Sequence, residues 1–190
     1  MPRVLAPLVL ALSVAAFGPS PAGAEEVENP VYTSWTRCRP GTTLVVREVA
    51  ESEAGGGERV VTTKRRVLRS VDDRKLVVEE STEVESSAGT SQFGPQEYTH
   101  RRTMFLPEGV DKARLGRPQK ADAQGEEDVE AAGRTFHAEW FDTKGQTEAG
   151  PSNVRAWYAD DCPGLLVKSV TRVPAARKLT TTTVVEYKTP

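Results

Sequence analysis

The sequence is poor in the residues that usually carry chemistry. Its 190 residues include two histidines and two cysteines, and aromatic residues make up only 6% of the chain. A zinc site needs three or four ligands at recognisable spacing, whereas His100 and His137 are far from each other and from both cysteines in sequence. The composition therefore predicts no metal site and a core built mainly from valine, leucine and alanine.

Enzyme signatures are also missing from the sequence. It contains no G-x-S-x-G nucleophile motif, no P-loop and no dinucleotide-binding fingerprint, and the glycines at residues 55–57 lead into a strand-like segment. Residues 142–148 resemble a calcium loop but place Lys144 where an oxygen ligand is required. The two aspartates before Cys162 would raise the pKa of its thiol, which disfavours a nucleophile. We predict no catalytic residue and no cofactor, and keep an enzyme of unrecognised type as a third hypothesis.

An excess of charge of one sign is absent too. The formal net charge is −2, 27% of residues are charged, and the longest basic run is Lys-Arg-Arg at residues 64–66. A nucleic-acid-binding domain would show a basic patch or stripe, so we expect no nucleic-acid partner. A transmembrane helix needs about 20 apolar residues, and no such run follows residue 24.

The N-terminus has the organisation of a secretory signal peptide. Arg3 supplies the positive charge, residues 4–17 are largely apolar, and the small-residue motif Ala-Gly-Ala ends at Ala24. We predict that residues 1–24 are removed near Ala24 and that the protein is periplasmic or extracellular. The alternative is an N-terminal anchor that stays in place. Residues 25–190 are the right length for a single domain.

The predicted export bears on the redox state of the two cysteines. In an oxidising compartment, two cysteines in a small domain favour one disulfide, so we predict a Cys38–Cys162 bond. Closing such a long loop would stabilise the fold by about 4–5 kcal/mol in the chain-entropy model. The alternative is a reactive or metal-binding thiol.

The pattern beyond the signal peptide is typical of β-strands joined by turns. Asn29 and Pro30 resemble a helix N-cap followed by proline at N1, which predicts a short helix over residues 31–37 that covers one end of a sheet. Residues 87–95 and 143–152 are predicted loops, and residues 108–132 a surface loop with room for a short helix near 125–131. The predicted strands, which are rich in valine and threonine, cover residues 42–52, 59–71, 75–86, 96–106, 134–142, 153–159, 165–173 and 179–188.

Opposite charges on the second and third predicted strands indicate how they pair. The second strand carries basic residues at positions 64–66 and 69, and the third carries glutamates at 79, 80, 83 and 85. In a hairpin these charges lie across from each other, and each such pair contributes about 0.2–1 kcal/mol. An anion site at residues 64–66 is the alternative to this paired, solvated face.

Five short motifs stand out along the chain: Asn-Pro-Val-Tyr-Thr-Ser-Trp (29–35), Pro-Gly-Thr (40–42), Ala-Gly-Arg-Thr-Phe (132–136), Val-Arg-Ala-Trp (154–157) and Cys-Pro-Gly-Leu-Leu-Val-Lys (162–168). Through these motifs the chain resembles a group of small exported bacterial proteins of unknown function. This chain has Cys162 where their hairpin motif has valine, and Leu165 where it has a second glycine. The order of strands is distantly similar to the LolA/LolB-type lipoprotein-binding fold, an open curved sheet whose concave face is covered by helix. The resemblance implies a fold and a compartment but no activity.

We therefore expect a mainly β protein: a single curved antiparallel sheet, either a half-barrel or a barrel of LolA/LolB-like or lipocalin-like form, with a short N-terminal helix. The leading functional hypothesis is non-enzymatic binding of an apolar or amphipathic ligand, such as a lipid, or of an envelope protein, in the concavity. A structural or protein-interaction module without a pocket is the second. The residues expected to line the pocket or the core are Phe136, Trp140, Trp157, Tyr158, Leu165 and Val167.

Overall fold

The structure, a computed structural model, describes residues 25–54 and 57–190, so the predicted signal peptide lies outside the described residues. Within them the chain forms eleven strands and one short α-helix, α1 (Pro30–Thr36). The strands are β1 (Glu26–Glu28), β2 (Thr43–Ser52), β3 (Val60–Val71), β4 (Lys75–Ser86), β5 (Gly89–Arg101), β6 (Thr103–Phe105), β7 (Ala123–Ala131), β8 (Arg134–Thr147), β9 (Gly150–Tyr158), β10 (Leu166–Val173) and β11 (Lys178–Lys188).

Nine of these strands form one antiparallel sheet in the order β5-β4-β3-β2-β11-β10-β9-β8-β7. Consecutive strands pair with each other from β2 to β5 and from β7 to β11, and β2 also pairs with the last strand, β11, which joins the two halves. Strand β7 also approaches β10 and β11, so the sheet coils at this end. The predicted curved antiparallel sheet is confirmed. Among the described residues it stays open, with β5 and β7 as its edges, so the closed-barrel alternative is wrong.

Helix α1 begins where the capping pattern predicts. The side chain of Asn29 accepts a hydrogen bond from the backbone N–H of Val31 at 3.0 Å, and proline occupies the first turn. Tyr32 and Trp35 are buried against the sheet, so the predicted cover over one end of the sheet is confirmed. In the described part of the chain, no helix has both the length and the apolar character needed to cross a membrane.

The predicted charge pairing between β3 and β4 is confirmed. Arg66 Nε lies 2.7 Å from a carboxylate oxygen of Glu80, which stands directly opposite it. Arg69 donates two hydrogen bonds to Glu79, at 2.6 and 3.1 Å. These pairs favour the observed register, because a shift by one residue would separate Arg66 from Glu80 and move every side chain of one strand to the opposite face.

Two segments predicted as loops are strands instead. Residues 123–131 form the edge strand β7, in which Val129 and Ala131 are buried while Glu130 between them is exposed. Residues 89–95 belong to β5, and the loop predicted at 143–152 shrinks to a tight turn because β8 and β9 extend into it. Glycine, serine and acidic residues are unfavourable in isolated strands, but pairing with a long neighbouring strand outweighs that preference.

Both cysteines are buried free thiols, so the predicted Cys38–Cys162 disulfide is not formed in this structure. Each sulfur instead has its own polar partner. Cys38 Sγ lies 3.3 Å from the hydroxyl of Tyr187, and Cys162 Sγ lies 3.5 Å from the carbonyl of Leu166. Burial raises the pKa of both thiols, that of Cys162 to about 12, so both are protonated and unreactive at neutral pH.

Candidate functional site

Cross-strand pairing brings two tryptophans together on one face of the coiled end of the sheet. Trp140 on β8 stands directly opposite Trp157 on β9, and Trp157 stands opposite Lys168 on β10. Directly opposed residues of an antiparallel pair share a face. One step along the strands, Asp142 is opposite Arg155, and Arg155 is opposite Val170, so these three residues share that face too.

A groove of about 550 Å³ opens on this face, and we call it the β8–β10 groove. Trp157 and Val170 provide apolar surface, and charged and polar side chains surround them. A volume of this size lies within the range of ligand-binding clefts, roughly 300–1,000 Å³. The lining residues are Asp122, Ala123, Asp142, Thr143, Lys144, Asn153, Val154, Arg155, Trp157, Val170 and Arg172.

Arg155 is the most firmly held charge of the groove. Its guanidinium donates two hydrogen bonds to the carboxylate of Asp142, at 2.7 and 2.6 Å, and lies 4.4 Å from the ring centroid of Trp140. The Arg155 hydrogen bonds lower the pKa of the Asp142 carboxyl, so this carboxylate stays ionised to lower pH than a free aspartate. A forked ion pair stacked on an aromatic ring fixes the direction of the charges more than an isolated surface pair does.

Trp140 itself is partly buried and is contacted on two sides. Arg155 lies against its ring, and a Cβ placed on Gly125 of the edge strand β7 would come within 2.8 Å of the same ring. Glycine is therefore required at position 125 for β7 to lie this close to the tryptophan. Trp140 lies beside the groove and does not line it.

Trp157 meets the groove with only a small part of its surface, since the residue is 8% exposed. Its indole Nε1 donates a hydrogen bond to the carboxylate of Glu127 on β7. The ammonium group of Lys168 lies 5.2 Å from the ring centroid. The ring is thus fixed at its edge and on one face, which keeps it rigid at the base of the groove.

The six residues predicted to line a pocket or the core do not meet in one cavity. Phe136 and Val167 are fully buried in the main core. Trp157 lines the groove, and Trp140 lies beside it. Tyr158 follows Trp157 and points to the opposite face, where it contacts Phe141 edge to face with ring centroids 5.9 Å apart.

The sixth predicted residue, Leu165, lines a second and smaller cavity of about 310 Å³. This cavity lies between β1, α1 and the segment that links β6 to β7. Its walls are partly apolar, and its charged residues come from four different segments of the chain. The lining residues are Val27, Glu28, Pro30, Thr33, Ser34, Arg37, Lys112, Leu115, Asp160 and Leu165.

Sequence reasoning missed the polar residues of the groove. Asp142 was placed at the end of a strand, and Lys144 in a loop, whereas β8 runs on to Thr147. The sequence places Arg155 and Arg172 in strands. Alternation along one strand shows which of its residues share a face, but not which residues of a neighbouring strand lie beside them. The signal that could have found the groove is the shared alternation of Asp142 with Trp140 and of Arg155 with Trp157.

Within residues 25–54 and 57–190, no group of three or more histidine, cysteine, aspartate or glutamate side chains is arranged to hold a metal ion. The acidic cluster around His137 on β8 is an exposed ion-pair group. Its Nδ1 lies 3.0 Å from Asp128 and its Nε2 lies 3.6 Å from Glu126. The hydrogen bond to Asp128 raises the pKa of this imidazole.

Comparison with known proteins yields structural neighbours only. No protein-family profile matches the sequence, and no curated protein matches it. The fold is similar to a candidate exported protein with a YmcC-like fold from Bacteroides fragilis (9% identity, 80% of this chain and 97% of that chain, TM-score 0.40). It is also similar to a candidate lipoprotein from Parabacteroides distasonis (10% identity, 79% and 96%, TM-score 0.41). A hypothetical protein from Chlamydia trachomatis is a third neighbour (9% identity, 86% and 93%, TM-score 0.33).

Proposed function

We propose that this protein is an exported, non-enzymatic binding protein that holds an amphipathic ligand, such as a lipid, in the β8–β10 groove. The observation that carries the proposal is the groove itself: an apolar base of Trp157 and Val170 inside a charged rim. Such a surface matches a molecule with an apolar chain and a polar head, because the chain then contacts the apolar base and the head contacts the charged rim.

The rigidity of the base supports binding without conversion of the ligand. Trp157 is held by Glu127 and Lys168, and Arg155 is held by Asp142 and the ring of Trp140. A preorganised surface loses little conformational entropy when a ligand docks. The carboxylates and cations of the rim are already paired with each other, which suits recognition better than proton transfer.

Export is the second part of the proposal, and it depends on residues 1–24. The charged start, the apolar run and the Ala-Gly-Ala motif have the order of a secretory signal peptide. The intact mass of protein recovered from the cell envelope tests this directly. An intact mass that matches a chain starting at Glu25 would support cleavage after Ala24. A mass that matches the full sequence from Met1 would contradict it.

A protein-interaction module of the cell envelope is the alternative function, and one observation favours it. Phe93 on β5 and Phe105 on β6 are 58% and 48% exposed, which is unusual for large aromatic side chains. Exposed apolar side chains of this kind can dock against a partner protein. On this alternative the groove would bind no small amphiphile.

Calorimetric titration with lysophosphatidylcholine below its critical micelle concentration separates the two functions. Asn153 is an exposed residue on the groove rim, so Asn153→Trp should fill the groove and weaken binding about tenfold or more. Gln92→Trp is the matched control, because Gln92 is an exposed polar residue in a strand far from the groove. If neither wild-type nor Gln92→Trp binds the amphiphile, the groove proposal is wrong and the interaction module is favoured.

A further inference from the structure

The charges around the β8–β10 groove are balanced one by one. Arg155 pairs with Asp142 at 2.6 Å, across the β8–β9 ladder. Lys144 lies 3.7 Å from Asp122, just before β7. The third cation that lines the groove, Arg172, lies 2.7 Å from Glu53. The rim therefore carries charge of both signs at short spacing but little net charge.

This arrangement penalises a ligand head that carries a net charge. A single negative group that approaches Arg155 also approaches the Asp142 carboxylate 2.6 Å away from the guanidinium, so attraction and repulsion largely cancel. To bind strongly, an anion would have to displace that carboxylate from a bidentate contact. Like-charge juxtaposition of this kind is how binding sites reject unwanted partners.

A zwitterionic head meets no such penalty. Its positive part can lie near Asp142 or Asp122, while its negative part lies near Arg155 or Lys144, and the ion pairs of the rim need not break. Complementary potentials of alternating sign give selectivity even where each exposed ion pair contributes little energy. The apolar base formed by Trp157 and Val170 then takes the start of the hydrocarbon chain.

We propose that the β8–β10 groove selects single-chain amphiphiles with a zwitterionic head of no net charge over anionic amphiphiles of the same chain length. This inference rests on the proposed function, since it names the ligand class of the same groove. It assigns the selection to the Arg155–Asp142 and Lys144–Asp122 pairs.

The test compares lysophosphatidylcholine with lysophosphatidylglycerol of equal acyl length, both below their critical micelle concentrations, by calorimetric titration. Wild-type protein should bind the zwitterionic lipid about fivefold or more tightly than the anionic one. Asp142→Asn leaves the Arg155 guanidinium without its carboxylate, so the anionic lipid should gain about fivefold in affinity and the preference should disappear.

Glu79→Gln is the matched control for that variant. Like Asp142, Glu79 forms a bidentate cross-strand pair with an arginine: Arg69 donates hydrogen bonds to it at 2.6 and 3.1 Å. This pair lies on β3 and β4, outside the groove, so the variant removes the same kind of carboxylate at a different place. It should leave the lipid preference unchanged. Asp122→Asn, which frees Lys144 instead, takes the place of Asp142→Asn if thermal melts show that the first variant is unfolded.

The outcomes separate this inference from the proposed function. Equal binding of both lipids by the wild-type protein, or a preference that survives both Asp142→Asn and Asp122→Asn, overturns the selection by paired charges while binding in the groove stands. A preference lost equally in Glu79→Gln overturns it as well, because the effect would then be one of overall charge. Absence of binding by every folded variant and by the wild-type protein overturns both.

Discussion

Arg117 offers a sharp test of how the segment between β6 and β7 is held against the sheet. The side chain is only 9% exposed, and it contacts two carboxylates, Glu139 at 2.7 Å and Asp160 at 2.8 Å. Its guanidinium also lies 5.4 Å from the ring centroid of Tyr158. One side chain thus connects the segment to β8, to the end of β9 and to an aromatic ring.

The size of the effect follows from the exposure of the partners. Glu139 and Asp160 are 50% and 78% exposed, so they regain water when the arginine is removed, and each ion pair is worth only about 0.5 kcal/mol. The stacking on Tyr158 adds about 0.5–1 kcal/mol. We expect Arg117→Met to lower the free energy of unfolding by about 1–2 kcal/mol, which corresponds to a fall in Tm of about 2–8 °C for a chain of this size.

The assay is urea unfolding combined with amide hydrogen exchange. Arg117→Met should speed exchange in residues 107–122 while leaving the strands β2–β4 protected. Arg117→Lys keeps the charge but lacks the planar fork that reaches both carboxylates, so it should lose an intermediate amount. A Lys variant as stable as the wild-type protein would refute the role of the fork, and a Met variant as stable as the wild type would refute the account of this contact.

Three further predictions follow from single side chains. Asn29→Ala removes the cap of α1 and should cost about 1 kcal/mol in chemical denaturation, whereas Asn29→Asp should not; equal stabilities would contradict the cap. Burial and the nearby Arg66 lower the pKa of His100, so its contribution to stability is present above the ordinary histidine pKa and lost as pH falls through the lowered value. His100→Gln should flatten the pH dependence of unfolding in that range, and an unchanged profile would contradict this. Cys38 and Cys162 should resist thiol reagents in the native protein and both react in urea without reductant; no reaction in urea would show a disulfide instead.

The sheet could be predicted from the sequence because most of its strands carry their own signal. Valine- and threonine-rich runs bounded by turns predicted β3, β4, β10 and β11 to within one residue. The cap at Asn29 likewise predicted the start of α1 to within a residue. Strand β7 was missed because acidic residues at positions 126–128 and 130 resemble a loop, and its apolar residues are limited to Ala123, Val129 and Ala131.

The groove could not be predicted because it depends on register. Asp142, Arg155 and Val170 meet across three strands, and β10 carries a register shift between Leu166 and Lys168 that no single-strand pattern reveals. Aromatic content alone directed attention to Phe136, which lies in the core. Trp140 and Trp157 were among the six residues expected to line the pocket or the core, but their pairing with each other and with the charged residues beside them comes from the register of β8, β9 and β10.

The most direct measurement of the central claim is the native mass of the protein isolated from the envelope of its own host, with Asn153→Trp isolated in parallel. Amphiphile binding in the β8–β10 groove predicts an added mass on the wild-type protein that denaturation releases and that Asn153→Trp lacks. A wild-type protein that carries no added mass, or an adduct that Asn153→Trp retains in full, would contradict binding in this groove.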